Sequence, residues 1–222
     1  MDKDSKKDIG YALAKAGIGS IPLVGAAASE LLQLLVTPPI EKRRNEWMND
    51  IGDRLKNLEE LESIDLETLR DNDIFIDVVI KTTQEALKTN ESEKLEYFKN
   101  AIVNTAIDEN PDISEIQIFL NLISNFTVWH IRLLKLFDEP SDWFSQREIS
   151  VPNFMGASLS SILEIGYPEL KGKREFYDLI WSDLERAGLH NTSGLHTTMS
   201  GSGLMVSRTS NWGRQFLSFI EK

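Results

Sequence analysis

The chain has 222 residues with 41% hydrophobic and 27% charged side chains, proportions that place it among folded globular proteins and away from disorder. It contains no cysteine, which excludes disulfides, thiolate zinc sites and cysteine nucleophiles and fits a reducing cytoplasm. The net charge of −11 is concentrated in residues 51–140, where nineteen acids face nine bases, so the middle of the chain repels nucleic-acid phosphates.

Residues 16–40 carry one charge, Glu30, and end at Pro38-Pro39 followed by Lys42-Arg43-Arg44. As a secretory leader the N-terminus is poor, because Asp2, Asp4 and Asp8 accompany its lysines and Lys15, Gly17, Gly19 and Pro22 interrupt the apolar run. A straight membrane span is disfavoured as well, since Pro22 breaks it and Glu30 would sit near its centre at about 2.5 kcal/mol or more. The residues predict a helical hairpin instead, with a short helix over Tyr11–Gly19 and a second from Leu23 to Val36. Thr37-Pro38 has the chemistry of a new helix start, a capping hydroxyl followed by proline.

Trp47, Ile51, Leu55, Leu58 and Leu61 then recur at helical spacing and predict one buried stripe. Ile74–Ile80 is β-branched, but Asp73, Asp77, Lys81 and Glu85 fall on one face of a helix, with an Asp77–Lys81 pair. Asn90 with Glu93, and Asp112 with Glu115, have capping-box spacing and predict helices running through Ile102 and Ile123. The uncharged stretch between Glu115 and Arg132 is diluted by Asn121, Asn125, Thr127 and His130 and reads as core. A helix ends near Ser124-Asn125, and another runs from Val128 to Phe137 and stops before Pro140.

Beyond Pro140 the sequence predicts helices over Leu159–Ile165 and Arg174–Ala187, the second ended by Gly188, and a last helix capped by Ser210. Leu195–Met199 and Leu204–Arg208, flanking Ser200-Gly201-Ser202-Gly203, read as a short β-hairpin. The expected fold is mainly α, a helical bundle with a C-terminal winged-helix-like subdomain containing that hairpin. Its expected parts are an apolar hairpin over 1–40, a bundle over 41–126 and the winged-helix-like part over 127–222.

No catalytic constellation, metal site or cofactor site emerges. His130 reads as a core or boundary histidine, and His190 and His196 match no zinc spacing. Gly201-Ser202-Gly203 lacks the lysine of a phosphate loop. The residues expected to contact a membrane or partner are Ile18, Ile21, Leu23, Val24, Leu31, Leu35, Lys42, Arg43 and Arg44, the bases being able to meet anionic headgroups or to pair with Glu41 and Glu46. His196, Arg208 and Arg214 are the expected wing contacts, although the acids beside Arg174 and Arg186 make the helix before them poor for DNA.

Four segments carry a likeness to known proteins: Gly25-Ala26-Ala27-Ala28-Ser29-Glu30-Leu31 leading into Pro38–Met48; Glu93-Lys94-Leu95 through Asn104; Phe119–Ile123 with Phe126-Thr127, His130 and Leu133-Leu134; and Gly213–Leu217 with Phe219-Ile220. They resemble a group of bacterial helical proteins and, more loosely, the abortive-infection alpha family associated with phage defence. The resemblance spans most of the chain and implies a helical fold and a defence setting. It supplies no site residues. The residues themselves lead to the expectation of a non-enzymatic bacterial cytoplasmic protein, membrane-associated in one version, with no cofactor and with a protein partner or self-association. The alternative is a regulatory module docking protein or DNA through the C-terminal part.

Overall fold

In the computed structural model, which describes residues 26–108, 112–192 and 194–221, eleven α-helices and one 3-10 turn follow one another. They are α1 (Ala26–Glu60), α2 (Leu66–Arg70), α3 (Asp73–Ala86), α4 (Ser92–Ile107), α5 (Ile113–Asn125) and α6 (Val128–Asp138). Next come α7 (Pro140–Gln146), α8 (Leu159–Gly166), the 3-10 turn Pro168–Leu170, α9 (Arg174–Arg186), α10 (Gly201–Leu204) and α11 (Asn211–Ile220). The expected Tyr11–Gly19 helix lies outside the described residues.

Two helices organise the packing. α4 turns Phe98, Ala101 and Ile102 inward at 1% exposure or less and touches α1, α3, α5 and α11. α6 is apolar nearly all round, with Ile131, Leu133, Leu134, Leu136 and Phe137 buried, as befits a helix enclosed by α7, α8, α9 and α11. Their buried side chains join one cluster running from Trp47 to Ile220.

Local chemistry explains most helix starts. Asp112 accepts from the backbone N–H groups of Ser114 and Glu115, and Ser210 from Gly213, as their spacing predicted. The α4 start moves by one residue: Glu91 is the cap, because Thr89 Oγ1 accepts its N–H at 3.1 Å and no side-chain cap is made. Gly188, at φ +74°, closes α9 with Leu189 N–H reaching back to Leu184 O, the left-handed termination its position predicted. The β-branched stretch over 74–80 is helical, but Lys81 donates to Asn121 Oδ1 at 2.6 Å rather than pairing with Asp77.

Two expectations are corrected. α1 is a single helix of 35 residues that crosses Thr37 and both prolines, so no new helix starts there. The carbonyls that lose their donors at Pro38 and Pro39 lie beside exposed Leu35, Val36 and Ile40, where water reaches the helix. The expected buried stripe also fades, from Trp47 and Ile51 at 5% and 4% exposure to Leu61, just past the end of α1, at 73%, where the chain turns off at Glu62.

The β-hairpin, and with it the winged-helix-like arrangement, is the second correction. Ser200 Oγ accepts the N–H of Gly203, so Gly201–Leu204 coils into a helical turn and buries Leu204 fully. The flanking segments bond elsewhere: Met199 pairs with Ala157 across an isolated bridge, and Arg208 N–H donates to Phe137 O at 2.8 Å. Among the described residues there are isolated bridges but no strands.

Candidate functional site

The side chains described from Leu35 to Glu46 are exposed, Thr37 alone being half-buried, whereas Trp47 directly after them is 5% exposed. Before Trp47, α1 therefore forms an arm about 18 Å long on the 1.5 Å rise of a helix, its described side chains from Leu35 to Glu46 largely exposed. Arg43 and Glu46 at its root nevertheless border a cleft of the body, and Gln33 further up the helix is buried. Leu35 (62%), Val36 (37%) and Ile40 (38%) stand on it with their apolar surface in water. Lys42, Arg43 and Arg44 follow. Lys42 lies 3.7 Å from Glu46 with both groups mostly exposed, and Arg43 and Arg44 have no ion-pair partner among the described residues. Leu31 is on α1, but its side chain, like Ile18, Ile21, Leu23 and Val24 altogether, lies outside the described residues.

The root of the arm is held by polar contacts that sequence reading missed. Arg54 donates to Asp50 at 2.9 Å, to Glu96 at 2.6 Å and to Asn100 at 3.2 Å, and Lys99 bridges the same two carboxylates. Burial opposes ionisation of Asp50 and Glu96, but hydrogen bonds from Lys99 and Arg54 outweigh it and hold both carboxyls below the usual range. Asn100 and Asn104, one turn apart on α4, donate to carbonyls at and just past the end of α11: Asn100 to Ile220 O, Asn104 to Ser218, Phe219 and Glu221. The direction of the arm is thus set by α4 and braced by the end of the chain. Partners 42 residues apart, as Arg54 and Glu96 are, leave no local signal.

Trp47 completes the root. Its indole N–H donates to Thr83 Oγ1 at 3.0 Å, and beside it a cleft of about 290 Å³ opens among Arg43, Glu46, Asp50, Ala86, Asn90 and Lys99.

The three residues expected on a wing are engaged within the chain. His196 Nε2 sits 2.7 Å from Asp178 Oδ1, fastening the loop after His190 to α9. Arg208 donates to Gly203 O and contacts Met199 Sδ. Arg214 lies 3.5 Å from Asp138 and donates to Asn211 and Ser207.

His130 and His190 are structural. His130 Nδ1 accepts the N–H of Thr127 at 3.1 Å, taking the place of the acidic side chain in a capping box, so its proton resides on Nε2, 3.5 Å from Asp183. His190 stacks on Trp181 at 3.7 Å and bridges Trp181 O and Thr192 N–H. Burial lowers the pKa of both, against the pull of Asp183 on His130 and of Trp181 O on His190. A lowered pKa means the unfolded chain binds the proton first, so stability from the two imidazoles is complete above about pH 6.5 and is lost as pH falls towards the folded-state values. Urea midpoints measured from about pH 7.5 down to 5.5 are expected to decline, and His130→Gln to flatten the decline. An unchanged slope in that variant excludes His130 as its source.

Among the described residues no group of three or more His, Asp or Glu side chains gathers as a metal site requires, and no helix is long and apolar enough to cross a membrane. Comparison with family models, with curated proteins and with solved structures finds no match for this chain.

Proposed function

We propose that the chain is a non-catalytic docking protein that attaches to an anionic membrane surface through residues 16–44. The carrying observation is the exposed arm, on which Leu35, Val36 and Ile40 precede Lys42-Arg43-Arg44 while the helix beyond Trp47 is fixed to the body. An apolar helix end followed by bases matches a bilayer interface, with aliphatic side chains at the acyl boundary and cations among the headgroups, each base contributing about 1 kcal/mol near an anionic leaflet. Glu30 keeps the segment at that boundary rather than across it. The resemblance to abortive-infection proteins makes a cytoplasmic, bacterial, antiphage setting the expected one.

The reading is tested by co-sedimentation with vesicles of phosphatidylcholine alone and of phosphatidylcholine mixed with an anionic lipid. The full chain is expected to pellet with the mixed vesicles. A chain lacking residues 1–40 and a folded Lys42→Ala/Arg43→Ala/Arg44→Ala variant are expected to remain mostly in the supernatant. Equal pelleting of all three would sink the proposal.

A further inference from the structure

A second exposed apolar surface lies on the body. Between α3 and α5 runs a groove of about 430 Å³, within the range of about 300–1,000 Å³ that ligand clefts occupy. Val78, Ile116 and Leu120 form its floor, each 6% exposed or less, and Ile80 (52%) and Ile113 (40%) stand on its rims with their apolar surface in water.

The charges along it favour a basic occupant. Asp77 opens onto the groove with no ion-pair partner among the described residues, while Glu85, also lining it, is shared with Lys88. Lys81, the one base lining the groove among the described residues, is turned to Asn121.

We infer that this groove seats the α1 arm of a second copy of the chain. The arm presents what the groove lacks: aliphatic side chains one turn apart, Val36 and Ile40, then Arg43 and Arg44, without an ion-pair partner among the described residues, three and four residues further on. On a helix that step is about 5 Å, and Asp77 precedes Ile80 by a similar distance, so an arm side chain seated against Ile80 brings a guanidinium level with the Asp77 carboxylate. The spacing and the sign of charge therefore match together.

The arm of the same molecule is directed elsewhere. α1 is one continuous helix fastened to α3 at Trp47–Thr83, and its Arg43 and Glu46 border a cleft with Ala86, Asn90 and Lys99, none of which lines the groove. The contact is heterologous, an arm of one copy in the groove of the next, and it propagates unless a ring closes.

This inference shares its arm with the membrane reading but not its target, and the groove variant separates the two. Sedimentation velocity across a concentration series is expected to show the full chain associating. Ile40→Asp (arm) and Ile80→Asp/Ile113→Asp (groove), both at exposed positions and each checked for folding by circular dichroism, are each expected to weaken association at least tenfold. Mixed together, they are expected to form a dimer that grows no further, since one supplies the only intact groove and the other the only intact arm. The groove variant is expected to keep its vesicle binding. A full chain that stays monomeric at roughly 100 µM, where even a Kd of about 10 µM gives extensive association, overturns the inference. So does association that survives in the groove variant, or a mixture that yields no dimer.

Discussion

Replacing Phe216 by alanine is expected to destabilise the chain by about 3–5 kcal/mol, the cost of removing a fully enclosed aromatic ring. Phe216 is 0% exposed, with its ring centroid 5.6 Å from that of Phe119 and 6.5 Å from that of Phe126, and with Leu217 and Ile220 it carries α11 into the core among α4, α5 and α6. The loss reaches beyond the cavity. Asn100 and Asn104 bond the final carbonyls of α11, and Asn100 also accepts from Arg54 at the root of the arm. Loosening α11 therefore leaves polar groups of α4 without partners and weakens the brace that sets the direction of α1. In a chain whose total stability is on the order of 5–15 kcal/mol this is a large fraction. The melting temperature is expected to fall by roughly 10 °C. A fall of only one or two degrees would mean that α11 is not a structural part of the core.

What the sequence revealed follows how local each interaction is. Where a cap residue and an apolar period agree, as at Asp112 before Ile116 or Ser210 before Phe216, the helix start is readable because both signals lie within one turn. The same locality explains why 74–80 is helical despite its β-branched residues: Phe75, Val78, Thr82 and Ala86 recur at helical spacing and all are buried on one side. The glycine-rich stretch at 200–203 misled because its neighbours, read alone, alternate as strands do. Their actual partners are Ala157 and Phe137, more than forty residues away. The proline pair misled for the opposite reason. Taken locally it marks a helix start, but the helix continues through it on an exposed stretch, where carbonyls that lose a proline's donor are open to solvent.

The candidate site divides in the same way. The composition of 16–40 and the bases after it were visible as a run in the chain. That Val36 and Ile40 are left in water while Trp47 and Ile51 are covered was not, since it depends on where α3 and α4 end beside α1. The Asp178–His196 contact and the Arg54 cluster were invisible because helical periodicity says nothing about which two helices become neighbours.

Two glycine-to-alanine substitutions, both within helices, are expected to act with opposite sign. At Gly52, in the interior of α1, an added Cβ meets nothing within 4 Å, so alanine contributes only its better helix propensity, a gain of about 0.5–1 kcal/mol. At Gly213, in the first turn of α11, the added Cβ would lie 2.2 Å from Leu189 O and 2.6 Å from Thr209 Cγ2. The Leu189 carbonyl is not free to yield. Leu189 O accepts the N–H of Ser210 at 2.9 Å, and Ser210 Oγ bonds Gly188 O at 2.6 Å while capping Gly213 N–H, so the end of α9 and the start of α11 are joined at this point. Relieving the overlap separates the two helices and breaks those bonds. The overpacking cost is about 1–3 kcal/mol, with about 1 kcal/mol for each hydrogen bond lost, and it exceeds the propensity gain that alanine also brings here. Thermal unfolding of the two variants checks this directly: Gly52→Ala is expected to melt above the unmodified chain and Gly213→Ala well below it. Shifts in the same direction would show that helix propensity, rather than the contact between α9 and α11, decides what alanine does at position 213.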